Sequence, residues 1–328
     1  MGTSMSEPRG TGPLPGHGPL RIGIVGVGQI ARVQHIPSIA ATPGLVLTAV
    51  ANPVPVEVPE GVASYESLAA MLAGSPEIDA VAICTPPQIR YALAIMALDA
   101  GKHVLLEKPP AATPAEITAL AAYAAARHLT LFTAWHSLFS AGVDQAREIL
   151  AARGAAGMRI VWKEDVHKWH PGVDWFWEPG GMGVFDPGIN AFSIVVGVMP
   201  EPIFVRATTL MIPHGAHTPM AAEMQFATQK HAEGFTAELD WNQKDGETWI
   251  IHWTLDDGGL LALEQGGAVL KLDGRTIVSG TDQEYPRLYA HFRDLVAAGR
   301  SDVEIRPLQL VADAFMLARH QKVAAVEP

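Results

Sequence analysis

The sequence predicts a two-part α/β protein: an N-terminal doubly wound parallel sheet, then an α+β domain with an open, mostly antiparallel sheet. Three observations point there. Short apolar runs alternate with helical segments up to residue 134, the pattern of βαβ units. The turn Gly26-Val27-Gly28 joins the first run to the first helical segment. Beyond about residue 153 the hydrophobic period falls to two, with turns such as Asp256-Asp257-Gly258-Gly259 between stretches.

In order, buried strands are predicted over 21–25, 45–51, 80–84, 103–106 and 129–134, each a short apolar run suited to burial on both faces. Helices are predicted over 30–41, 65–72, 89–100 and 114–127, the last with Pro114 in its first turn. The second half carries period-2 stretches at 159–166, 204–212, 223–228, 235–241, 248–255 and 260–263. Helices are predicted at 187–198, 285–298 and 308–321. Residues 1–20 are rich in glycine and proline, and Arg9 has no apolar stretch behind it, so they read as a disordered leader and not a secretory signal. Residues 21–140 form the expected dinucleotide-binding domain and 141–328 the expected substrate-binding and oligomerisation domain, whose last helix can pack back on the first.

The 328 residues are 48% hydrophobic, enough for a substantial core, and carry a net charge of −11. So acidic a surface repels phosphate backbones and anionic lipid, and the 23 basic residues form no patch that would reverse this, so neither nucleic acid nor membrane is an expected partner. The single cysteine, Cys84, excludes an intrachain disulfide and a cysteine-based zinc cluster. No apolar run reaches the roughly 20 residues a bilayer span needs, and a cytoplasmic protein is expected.

Gly26-x-Gly28-x-x-Ala31 lies between a predicted strand and a predicted helix. Gly26 permits the tight turn, Gly28 lets backbone approach a pyrophosphate, and Ala31 allows close packing; Gln29 and Ile30 open the helix whose N-terminus attracts the phosphates. The end of the second strand reads Ala51-Asn52-Pro53-Val54, with neither the acid that grips a ribose diol nor an arginine for a 2′-phosphate. NAD or NADP therefore fits, with a lean to NAD because no cation is offered at Asn52. A second motif, Glu107-Lys108-Pro109, closes a predicted parallel strand. Ligands bind beyond the carboxyl ends of such strands, and a partly desolvated ammonium beside a nicotinamide cation suits acid/base work.

Gly26-x-Gly28-x-x-Ala31, Thr85-Pro86 after a strand, and Glu107-Lys108-Pro109 together resemble the glucose–fructose oxidoreductase, inositol dehydrogenase and MocA-type family, from about Arg21 to the end. The resemblance implies the two-domain plan, a lysine in the active site, and cofactor contacts from Gly26, Gly28, Gln29, Ile30, Asn52, Thr85, Pro86, Glu107 and Lys108. Arg90 departs from the family, which often carries His after Thr-Pro.

A third stretch runs from Trp162-Lys163-Glu164 through Trp169-His170-Pro171 to Gly183-Val184-Phe185-Asp186-Pro187-Gly188-Ile189-Asn190. Asp186 with Pro187 reads as an N-cap, and Asp186 and Asn190 share a helix face. Where the family has an active-site His, this chain has Asn190. With Trp135-His136-Ser137, that substitution resembles the bacterial aldose 1-dehydrogenases that oxidise D-galactose or L-arabinose to the lactone. The resemblance implies that Lys108 and Asp186 are catalytic, either being the formal base, and that Asn190, His136, Glu164, His170 and Trp169 hold the sugar. The other readings are an inositol-type oxidation of a ring alcohol and a non-catalytic sensor on the same scaffold. All eight tryptophans lie between Trp135 and Trp253; Trp169 is the candidate sugar platform, while Trp241, Trp249 and Trp253 alternate in strands as packing residues. No metal is expected, since His167-x-x-His170 anchors no third ligand. A sheet face of this kind suits a homo-oligomer, dimer or tetramer.

Overall fold

The structure, a computed structural model, describes residues 18–169 and 175–325. His170, the Trp169 side chain and nearly all of the leader lie outside the described residues. The first half runs β1 (Leu20–Val25), α1 (Ile36–Ala41), β2 (Leu45–Ala51), β3 (Ala63–Tyr65), α2 (Leu68–Gly74), β4 (Ala80–Ile83), α3 (Pro87–Asp99), β5 (His103–Glu107), α4 (Pro114–Ala125) and β6 (Leu131–Ala134). All six strands are parallel, in the order β3-β2-β1-β4-β5-β6. The order reverses between β1 and β4, where open α/β sheets place their ligands, beyond the strands' carboxyl ends.

Local chemistry explains most boundaries. Thr113 and Glu116 form a reciprocal capping box ahead of Pro114, and the Ser67 hydroxyl accepts the Ala70 N–H at 3.2 Å to start α2. Tyr65 is a strand residue and not the first of a helix, because Ser67 supplies the cap two positions later. The segment predicted as one helix over 30–41 contains a π-turn, Ala31–His35, before α1.

The second half runs α5 (Val143–Arg153), β7 (Gly157–Lys163), α6 (Val166–Trp169), α7 (Phe185–Val198), β8 (Phe204–Pro213), β9 (Ala221–Ala227), β10 (Phe235–Asp240), β11 (Thr248–Thr254), β12 (Leu260–Glu264), β13 (Val269–Leu272), β14 (Arg275–Ser279), α8 (Glu284–Ala297), α9 (Arg306–Met316) and β15 (Ala318–Val323). Nine strands form one sheet, ordered β14-β13-β12-β11-β7-β10-β9-β8-β15. Most pairs are antiparallel; β7–β10 and β8–β15 are parallel. α5 escaped the sequence reading. The helix predicted over 308–321 ends at Met316, and the chain then pairs with β8, since an edge strand leaves Arg319, His320, Gln321 and Lys322 in water.

Two layers sandwich the parallel sheet. α2, α3 and α4 bury Leu68, Met71, Ala94, Leu98, Ile117 and Leu120 against one face. The other face is covered by the first helix and by α8, which delivers Tyr285, Leu288, Tyr289 and Phe292 onto Ile22, Ile24, Leu105 and Phe132. It is thus the penultimate helix that packs back on the first half, whereas α9 packs mainly on α7 and β8. Immediately after α8 the chain bridges β6: Thr133 N–H donates to Asp302 O at 3.1 Å, and Trp135 Nε1 to Glu304 O at 2.8 Å.

Candidate active site

The glycine turn is built by strand ends. Gly26 has φ of +85°, and a Cβ there would lie 2.9 Å from the backbone nitrogen of Thr85, so only glycine fits. A Cβ on Gly28 would meet nothing within 4 Å. The backbone at Gly28 therefore faces open space at the mouth of a helix whose first N–H groups lack intrahelical acceptors, a cradle that fits a pyrophosphate. Asn52, in the place of the missing acid, accepts the Val27 N–H at 3.0 Å and donates to Val54 O at 2.7 Å. Its amide ties the glycine turn to the loop that follows β2. Thr85 Oγ1 is buried beside Gly26, with no hydrogen-bond partner among the described residues. Pro86 supplies the N-cap position of α3.

At the neighbouring strand end, Lys108 leaves β5 toward α7. Its Nζ lies 3.3 Å from Asp186 Oδ2 and donates to Asp186 O at 3.0 Å, with side chains only 16% and 7% exposed. Asp186 does not cap α7 as expected. The helix begins at Phe185 with Val184 in the cap position and no side-chain cap, leaving the Asp186 carboxylate directed at the lysine. Asn190 stands one turn further along, half-buried, its carbonyl accepting the Ser193 hydroxyl at 2.7 Å.

Glu107 contributes no exposed side-chain surface to a cofactor, being 2% exposed. Its carboxylate turns inward, lies 3.6 Å from His35 Nε2 and accepts a short hydrogen bond from the Tyr285 hydroxyl. His35 Nδ1 pairs in turn with the Tyr289 hydroxyl at 2.7 Å. Burial alone pushes the Glu107 carboxyl up, but His35, with His136 and Lys108 beyond, holds it down at about 2. Burial alone would lower His35; the Cys84 sulfur and the Glu107 carboxylate outweigh it and hold the imidazole at about 10. Burial, then Glu107, raises the Tyr285 phenol. The pair is an imidazolium facing a carboxylate in a dry interior.

His136 stacks on Tyr285, with centroids 5.2 Å apart, and pairs through Nδ1 with Glu284 Oε2 at 2.5 Å. Glu164 is buried, and both its oxygens accept indole N–H groups, Oε1 from Trp241 at 3.1 Å and Oε2 from Trp249 at 3.0 Å. Trp249 stacks against Trp162, and Trp241 and Trp253 are core. His35, Tyr285, Tyr289 and Glu284 were not found from the sequence. Tyr285 and Tyr289, four apart on an amphipathic helix, carried the only local signal, and that pattern reads as core.

Among the described residues, no group of three or more His, Cys, Asp or Glu is arranged to hold a metal ion, and no helix is long and apolar enough to cross a membrane. Residues 20–135 match the profile of the oxidoreductase family with an NAD-binding Rossmann fold. The chain is 40% identical to the galactose 1-dehydrogenase of Pseudomonas fluorescens over 310 residues, 94% of this chain and 98% of that one. The crystal structure of the D-galactose-1-dehydrogenase protein from Rhizobium etli superposes with a TM-score of 0.89 at 44% identity, covering 95% of this chain and 99% of that one. A 3-ketoreductase from Actinomadura kijaniata, solved with NADP and TDP-benzene, shares the fold at a TM-score of 0.79 and 20% identity, covering 93% and 99% of the two chains.

Proposed function

Because this chain belongs to the oxidoreductase family with the NAD-binding Rossmann fold, we propose that it is an aldose 1-dehydrogenase acting on D-galactose, L-arabinose or a related aldose. The product is the aldonolactone. The observation that carries this reading is the Lys108–Asp186 contact at the carboxyl edge of the parallel sheet, two strands from the turn at Gly26 and Gly28 with β4 between. The 40% and 44% identities to galactose dehydrogenases across nearly the whole chain support the substrate class.

A nicotinamide dinucleotide bound at the glycine turn supplies the acceptor for the hydride leaving C1. The chain's own residues manage the proton. The anomeric hydroxyl gives its proton to Asp186, or to Lys108 once the ammonium has passed its own proton to Asp186. Lys108, held at both the carboxylate and the carbonyl of Asp186, keeps that carboxylate aimed at the sugar. Asn190, one helical turn on, offers an amide to the same carbon's neighbours, and His136, Glu164, His170 and Trp169 are assigned to the remaining hydroxyls and the C–H face. Glu107 acts from behind, by fixing the backbone that presents Lys108. NAD is the expected cofactor, since the Asn52 amide is spent on Val27 and Val54 and no Lys or Arg stands between Arg32 and Arg90. A homo-oligomer, dimer or tetramer, and a cytoplasmic location complete the proposal.

The test is a kcat/KM panel of aldoses with NAD and NADP, followed by reduced-nicotinamide absorbance, with the product analysed. Lactone formation is expected. A keto sugar would assign the inositol-type reaction instead, and no reduction with any sugar would assign a sensor.

A further inference from the structure

We propose that Arg90 is a positioning residue of this site, a buried guanidinium that fixes Lys108 by gripping the backbone on both sides of it. This rests on the oxidoreductase reading above. Arg90 lies on α3 and is 4% exposed. Its Nε donates to Thr85 O at 2.6 Å, and its Nη1 donates to the carbonyls of Glu107 and Pro109. Those two residues flank Lys108. Thr85 lies two residues beyond β4 and packs against Gly26. One planar cation therefore ties the end of β4, and through Thr85 the glycine turn, to the turn that presents the ammonium.

Three carbonyls converging on one point demand several donors in fixed directions. A guanidinium carries five N–H groups in a rigid fork; an ammonium is a compact charge on a flexible stem, and an imidazole has two nitrogens that point apart. Neither alternative spans Thr85, Glu107 and Pro109 together. Burial disfavours the charge on Arg90, and the carboxylates of Glu107 and Asp186, with Cys84 and Tyr285, act against that loss. The guanidinium thus also sits in the field of the Asp186 carboxylate. Arg90 touches no reacting atom in this scheme; its effect passes through the placement of Lys108.

Arg90→Lys and Arg90→Met test this, read by kcat, KM, dinucleotide binding by fluorescence, and the rate at which dilute trinitrobenzenesulfonate labels Lys108, resolved by mass spectrometry against Lys102 and Lys271. Loosening the turn by even an ångström is expected to lower kcat by about 10²-fold in both variants. The sugar KM and the dinucleotide Kd should stay within about threefold, the signature of lost transition-state alignment. Labelling of Lys108 should quicken while the control lysines do not change. Near-normal kcat in Arg90→Lys, or a fallen kcat with unchanged Lys108 labelling, overturns the proposal. If neither variant folds, Arg90 is a folding residue and the proposal is overturned likewise. If the wild-type protein oxidises no aldose, the parent reading fails, and the labelling comparison still decides whether Arg90 positions Lys108.

Discussion

The Lys108 ammonium and the Asp186 carboxylate meet at 3.3 Å across 78 residues of chain, one at the end of a parallel strand and the other in the first turn of α7. Neither side chain has much water around it, so the contact is a largely desolvated ion pair. A pair of this kind can pass a proton without first stripping solvent from either group.

Removing either partner is therefore expected to cost rate more than fold. Positioned proton transfer is worth about 10²–10⁴-fold, or about 2.7–5.4 kcal/mol of barrier. Lys108→Ala and Asp186→Ala should each lower kcat by at least about 10²-fold with unchanged circular dichroism. Normal turnover in both would remove the pair from the mechanism.

The two glycines of the turn should fail differently. Gly26→Ala meets the Thr85 backbone and a positive φ, and should destabilise by about 1–3 kcal/mol in urea titration. Gly28→Val has open space and should leave the unfolding midpoint unchanged while weakening dinucleotide binding by at least about tenfold. Equal stability losses in the two variants would contradict the cradle.

Glu107 and His35 set a pH window for stability. The depressed Glu107 contributes fully above its ordinary 4.5 and loses its contribution as pH falls toward about 2. The raised His35 contributes fully below its ordinary 6.5 and loses its contribution as pH rises toward about 10. Unfolding midpoints should peak between these limits and fall on both sides. Glu107→Gln should flatten both flanks and cost about 3–5 kcal/mol, the price of a buried charge left without its partner. A wild-type profile that ignores pH, or a Gln variant that keeps the same flanks, would dismiss the ion pair.

Glu164 accepts from two indoles with two oxygens, so Glu164→Gln must turn an amide N–H₂ toward one indole N–H. The indole that loses its charged acceptor should cost about 1–3 kcal/mol, with a red shift of tryptophan emission as the cluster loosens. Unchanged stability and emission would show that the carboxylate does not organise these rings.

How far the sequence reached depended on whether a signal was local. Strand, glycine turn and helix follow one another in sequence, so the parallel sheet and its ligand edge were legible from residues 21–134. Lys108 and Asp186 were legible as candidates because each lies in a motif that the chain shares with the family it resembles, but their meeting is a tertiary fact. The cap reading of Asp186 failed because the helix starts at Phe185, which puts Asp186 inside the first turn with its carboxylate facing Lys108. The helix predicted over 308–321 failed because polar residues after Met316 satisfy an edge strand as well as a helix. His35 looks like an ordinary member of a helical segment, and Arg90 stood out only as a departure from the family; the contacts of both are with carbonyls and carboxylates distant along the chain.

α8 makes one layer of the first sheet out of residues translated near the end. Until Tyr285, Leu288 and Phe292 leave the ribosome, the faces of Ile22, Ile24 and Leu105 have no complete cover. A fragment ending near residue 140 would leave that apolar face bare and should precipitate where the whole chain stays in solution. In this molecule the cover of the first sheet is the part synthesised near the end.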